Sequence, residues 1–235
     1  MPRGIMSHPI GIVGCSAEGA ALCYRTICAE GEAELGPHGH PEVLLHGHSL
    51  ANYVACLNVG DWSGVGALML SSAEKLAAAG AAFLICPDNT IHQAMPWVLP
   101  RSPLPWLDIA EVVATEAKRR GYQRLGITGT HWLVASEVYP RALGACGLGH
   151  HRPSEAEQIE IGRIIMDELV RGIVTPKALA YCQGVITRMA EAGCDAVVLG
   201  CTELPLLLDD RNSPLRTLDS TRLLARAALR RACAR

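Results

Sequence analysis

The sequence predicts an α/β protein with two similar domains, each a parallel sheet flanked by helices, related by a pseudo-twofold with the site in the cleft between them. Two observations lead there. Short apolar runs alternate with helical stretches along the 235 residues, a pattern that builds parallel sheets covered on both faces. The chain also repeats itself. "AGAAFLICPDNT", from Ala79, lies without a gap over "AGCDAVVLGCTE", which starts 113 residues later at Ala192. "IGIVGC", from Ile10, lies over "LGITGT", 115 residues later at Leu125. The second offset also sets Tyr24 on Tyr139.

Taken in order, the expected buried strands are Ile10–Val13, Val43–Leu45, Ala82–Cys86, Leu125–Thr128 and Ala196–Leu199, runs rich in apolar and β-branched residues. Helices are expected at Ser72–Ala79, Ile109–Arg119, Ile159–Val170 and Thr221–Ala234. The proline-rich "PWVLPRSPLPW" at Pro96–Trp106 resists continuous helix and marks the crossover between halves. "DDRNSPLR", from Asp209, is a second break. The expected domains are therefore 1–106, completed by a C-terminal helix at 214–235, and 107–213.

Bulk properties narrow the function. The chain is 49% apolar and 19% charged, with net charge −2, so no electrostatic case exists for nucleic acid or a membrane surface. The start "MPRGIMSHPIGIVG" lacks the apolar run of a signal peptide, and no later segment nears the ~20 unbroken apolar residues of a membrane span. Ten scattered cysteines without a CxxC pair fit buried thiols in a reducing cytoplasm.

Ligands of parallel sheets sit beyond the carboxyl ends of strands, which here carry Gly14, Asp88, Gly129 and Cys201. Cys201 reads either as a core thiol or as a thiolate favoured by the start of a following helix. "DNTIH" places Asp88, Asn89, Thr90 and His92 within five residues. Asn89 and Thr90 either cap a helix or, with backbone N–H groups, bind a carboxylate, and "CTE" at Cys201–Glu203 offers the same arrangement. His46 and His48 share a strand face, which permits metal binding, but ligands at matching spacing are lacking and no metal is expected. "GIVGCSAEG" is neither GxGxxG nor a P-loop.

At "IGIVG", Tyr24–Arg25, "GDW" at Gly60–Trp62, "NTIH" at Asn89–His92, Gly129–Thr130, "IIMDEL" at Ile164–Leu169 and "GCTELPLL" at Gly200–Leu207, the sequence resembles the aspartate/glutamate racemase family of cofactor-independent amino-acid racemases. The resemblance implies two α/β domains, a cleft, a homodimer, no cofactor, and a cysteine from each domain on opposite faces of a substrate α-carbon. One thiolate removes the α-proton while the opposite thiol donates one. Catalytic roles fall to Cys201 and Asp88, and substrate binding to Asn89, Thr90, Thr202, Gly14, Cys15, Ser16, Thr130 and Glu160. The implied substrate is a small molecule, an amino acid or related carboxylate, with no nucleic-acid or membrane partner.

Two positions depart from the family's pattern. Asp88 stands where the resemblance implies the first cysteine, with Cys86 two residues earlier beyond Pro87. Glu160 stands at the implied lysine position, and no Lys or Arg occurs from Thr26 to Glu74. An uncharged or cationic substrate side chain is thus expected, with Arg163 as the alternative partner for an acidic one. The competing activity is a decarboxylase or isomerase of the same fold in which Cys201 alone protonates an enolate. A third reading is a binding protein with a degenerate site.

Overall fold

The computed structural model describes residues 7–234. The first six positions of the expected 1–106 domain, and the last of 214–235, lie outside the described residues. The chain divides into two units, with residues up to Ile109 and from Thr221 onward in one and Ala110–Ser220 in the other.

In the first unit, β1 (Ile10–Gly14), α1 (Ala17–Leu35), β2 (Val43–Gly47), α2 (Leu50–Asn58), α3 (Trp62–Ala78) and β3 (Phe83–Ile85) come first. A 3₁₀ turn (Thr90–Ala94), the short α4 (Met95–Val98) and β4 (Trp106–Leu107) complete the run. α5 (Ile109–Arg119) starts in the first unit at Ile109 and leads into the second, followed by β5 (Arg124–Thr128), α6 (His131–Val134), α7 (Val138–Ala145), β6 (Gly149–His151) and α8 (Glu155–Arg163). A π-turn (Ile164–Glu168), a 3₁₀ turn (Leu169–Arg171), α9 (Pro176–Glu191), β7 (Ala196–Leu199), another 3₁₀ turn (Leu204–Leu206) and β8 (Arg216–Asp219) lead to α10 (Ser220–Cys233). From Thr221, α10 belongs to the first unit, where Ala232 O accepts from His8 N and Arg226 pairs with Glu30 of α1. Among the described residues, no helix is long and apolar enough to cross a membrane.

Both sheets are four-stranded and parallel, in the orders β2-β1-β3-β4 and β6-β5-β7-β8. The internal repeat is visible in the register. Ile10 pairs with Phe83 in one sheet, and Leu125 with Ala196 in the other. These are the partners that the two sequence offsets require. The repeated "AG" has a physical cause as well. Gly80 and Gly193 follow α3 and α9 with φ of 101° and 84°, a left-handed stop that glycine adopts without steric penalty.

The central strands are legible because they are buried throughout: every residue of β1, β3 and β7 is inaccessible. In the second unit, β7 packs against Ile164, Ile165 and the inner face of α9 at Cys182, Val185, Ile186 and Met189, and Cys201 lies against this core.

The structure differs from expectation at the sheet edges. β4, β6 and β8 lack an apolar run and are only partly covered. The expected helix over 214–235 begins as strand β8. Pro214 donates no backbone hydrogen bond, and Asp210 holds the N–H and hydroxyl of Thr217 at 2.7 and 2.8 Å, so the segment stays extended until Ser220. The expected helix Ile159–Val170 is interrupted by the π-turn and closes at Gly172, whose φ is 73°.

Candidate active site

In the first unit, β1 ends at the buried Gly14 and Cys15, and Ser16 caps α1 by accepting from Gly19 N at 3.2 Å. Asp88, part-buried, lies just past β3. Its carbonyl accepts from His92 Nδ1 at 2.8 Å, while His92 Nε2 accepts from the N–H of Ile109 at 3.4 Å. The backbone donor at Nε2 requires the proton on Nδ1, so the ring is a neutral brace between the end of β3 and the start of α5. Asn89 and Thr90 are buried beside it.

Cys86 is fully buried, and burial first, then the Asp88 charge, pushes its thiol well above the ordinary range. It is a core thiol, in loose contact with the Asp88 carbonyl at 3.9 Å. His46 and His48, weighed as metal ligands, bond to Ser72 at 2.9 Å and Ser71 at 3.2 Å.

In the second unit, Thr130 caps α6 through Leu133 N at 3.3 Å. β5 and β7 come close at their ends: Gly200 N donates to Thr128 O at 2.9 Å, and a Cβ on Gly200 would lie 2.5 Å from that oxygen. Only glycine fits there, and it sets Cys201 at the tip of β7.

The Cys201 thiol donates to Glu203 Oε2 at 2.9 Å, and the Thr202 hydroxyl donates to the same oxygen at 2.7 Å. Glu203 is only 4% exposed. A buried carboxylate holding two donors is well placed to fix a thiol and to accept its proton. The sequence reading quoted "CTE" without giving Glu203 a role of its own; the signal was a carboxylate two residues from the cysteine.

One expectation is corrected. A helix start was expected after Cys201, where its dipole would favour a thiolate, and another at Asn89 and Thr90, as caps or carboxylate binders. Each place holds instead a short 3₁₀ turn, Leu204–Leu206 or Thr90–Ala94, too brief for an appreciable macrodipole. Asn89 makes no side-chain capping bond either. In place of a helix start, Glu203 contacts the Cys201 thiol and His92 holds the backbone of Asp88.

Glu160 lies on α8 and accepts from Arg163 at 2.7 and 3.0 Å, which holds its carboxyl below the usual range. Arg163 also donates to Glu168 at 2.9 Å, and Thr175 donates to Glu168 at 3.1 Å.

The sequence profile of a family described as Asp/Glu/Hydantoin racemase matches residues 10–228. The chain is 28% identical over 149 residues to a glutamate racemase from Roseiflexus sp., covering 60% of this chain and 52% of that one. It is 23% identical over 164 residues to the broad specificity amino-acid racemase RacX from Bacillus subtilis, covering 68% and 69%. Among solved structures, the chain resembles a putative Asp/Glu racemase from Yersinia pestis, with a TM-score of 0.88, 26% identity and coverage of 96% and 99%. It also resembles an aspartate racemase homologue from Pyrococcus horikoshii, with a TM-score of 0.82, 25% identity and coverage of 95% and 98%.

Proposed function

We propose, given that the chain belongs to the Asp/Glu/Hydantoin racemase family, that it is an isomerase that inverts amino-acid α-carbons without pyridoxal phosphate. The observation supporting this most directly is the Cys201–Glu203 contact of 2.9 Å. Glu203 takes the thiol proton, and the resulting thiolate removes the α-proton from one face of the substrate. The electron pair passes into the substrate carboxylate, where Asn89, Thr90 and backbone N–H groups, that of Thr202 among them, stabilise the enediolate, as an oxyanion hole does. Asp88, entering as the acid, returns a proton to the opposite face and leaves as carboxylate. The two groups exchange roles for the reverse reaction. Such positioned acid–base catalysis contributes roughly 10²–10⁴-fold. Gly14, Cys15, Ser16 and Thr130 line the site in this reading.

An uncharged or cationic substrate side chain is part of the proposal. Arg163, the basic group expected as an alternative partner, already bridges Glu160 and Glu168. Glu160 adds negative charge on the same helix. A homodimer is also proposed, checked by sedimentation.

The test is incubation with L- and D-amino acids in deuterated water, followed by chiral mass analysis. Deuterium at the α-carbon with inversion supports the racemase. Carbon dioxide release from a malonate-type acid, without inversion, would favour the one-cysteine decarboxylase, which the aspartate at position 88 makes the second reading. No change in any ligand would overturn both.

A further inference from the structure

A chain of polar groups runs through the first unit from its surface inward, and the reading above leaves it unused. Lys75 Nζ lies 3.2 Å from His46 Nε2. An ammonium only donates, so Nε2 accepts and the ring proton sits on Nδ1, which donates to Ser72 Oγ at 2.9 Å. Ser72, on α3, is completely buried. As acceptor from His46, it has its own O–H to direct further inward. Burial and the Lys75 charge both lower the pKa of His46, which preserves this orientation.

Beyond Ser72 lies Tyr53 of α2, also completely buried, whose hydroxyl makes no hydrogen bond among the described residues. Burial holds the phenol neutral, reinforced by Cys86, Cys15 and Asp88 in that order, whereas Ser72 favours its ionisation. The hydroxyl therefore shares its buried surroundings with strand-end groups of β1 and β3 and with Ser72. Ser72 acts on it without reaching hydrogen-bond geometry. Native proteins rarely bury an unsatisfied hydroxyl, and those they keep have a use.

We propose that Tyr53 is a positioning residue for Asp88, the inner end of a one-way donor chain Lys75–His46–Ser72–Tyr53 whose final O–H turns onto the Asp88 carboxylate when that group ionises. This rests on the racemase reading in taking Asp88 as the proton-transfer group. Lys75 and His46 already donate in the same direction. A neutral phenol stabilises a carboxylate without neutralising it, which leaves Asp88 able to take a proton back.

Tyr53→Phe removes the hydroxyl and little else. While Asp88 is protonated the hydroxyl has no bonded partner to lose, so below the Asp88 midpoint the melting temperature should hold or rise, and above that midpoint the lost bond to the carboxylate should lower it. Carboxyl ¹³C titration, with the Asp88 signal identified by Asp88→Asn, should show its midpoint moving up by about one unit, a tenfold gain in proton affinity. Exchange on the Asp88 face should fall about tenfold in kcat with KM unchanged. Ser72→Ala should move the same midpoint in the same direction by less, and decides the matter if Tyr53→Phe does not fold. An unmoved Asp88 midpoint overturns the proposal. A melting temperature lowered equally below that midpoint does so too, because the hydroxyl would then be bonded within the fold whatever the state of Asp88. If the wild-type protein exchanges no amino acid, the racemase reading falls, and the titration still decides the role of Tyr53.

Discussion

At the end of β3 the buried His92 grips the backbone of Asp88, whereas at the end of β7 the buried Glu203 grips the side chains of Cys201 and Thr202. The strands have equivalent registers, so the frame is the same and the chemistry differs. In the second unit the polar residue touches the thiol itself. In the first it fixes where the carboxylate stands and leaves its protonation to other neighbours. The repeat supplies two equivalent positions, and local side chains hold a thiol by its sulfur at one and an aspartate by its backbone at the other.

The sharpest way to break this comparison is to remove the thiol. Cys201→Ala should abolish α-proton exchange in both enantiomers, a loss of at least about 10³-fold, with the fold retained by circular dichroism. Exchange surviving near the wild-type rate would move the chemistry elsewhere. Asp88→Asn should be less drastic. Exchange with retention on the Cys201 face should persist, while net inversion falls by roughly 10²-fold. Racemisation at the wild-type rate would remove Asp88 from the mechanism. Loss of all exchange, with binding intact, would show that Asp88 serves the thiol or the substrate's orientation instead.

Glu203→Gln tests the contact itself. The amide still accepts from Cys201 and Thr202 but is a far weaker base, so kcat should fall about 10–100-fold with KM little changed. An equal fall in Thr202→Val would mean that orientation, not proton acceptance, is what Glu203 provides. For substrate choice the expected effect is about tenfold, the equivalent of ~1.4 kcal/mol. Competition between neutral or basic amino acids and aspartate should favour the former in kcat/KM. Aspartate or glutamate winning would direct attention back to Arg163.

Much of the frame was readable beforehand, and the reason is burial. β1, β3, β5 and β7 are central strands covered on both faces, so composition alone marks them. β6, reading Gly149-His150-His151, and β8, reading Arg216 to Asp219, lie at edges where hydrogen bonding to one neighbour suffices. Their side chains carry no imprint of it. The candidate residues were readable as types, since the repeat set Asp88 over Cys201. What joins them was not. Whether Glu203 meets the Cys201 thiol depends on the turn after Gly200, and whether His92 meets Asp88 depends on a five-residue 3₁₀ turn. Neither geometry has a signature in residue spacing.

The smallest predicted effect concerns His92 and is read in stability. Its ring is 2% exposed and satisfies two backbone groups, the Asp88 carbonyl and the Ile109 N–H. His92→Phe keeps most of the volume and leaves both groups unpartnered, which should cost about 1–3 kcal/mol for each one that finds no replacement. His92→Gln can supply one donor and one acceptor and should recover part of that loss. If His92 only braces the fold, both variants should keep the ratio of the two α-exchange directions while losing stability. If it holds Asp88 in register, His92→Phe should slow exchange on the Asp88 face and spare the Cys201 face, with His92→Gln intermediate. Equal slowing of both faces would contradict the contrast between a backbone grip and a side-chain grip. His92 would then serve the site as a whole.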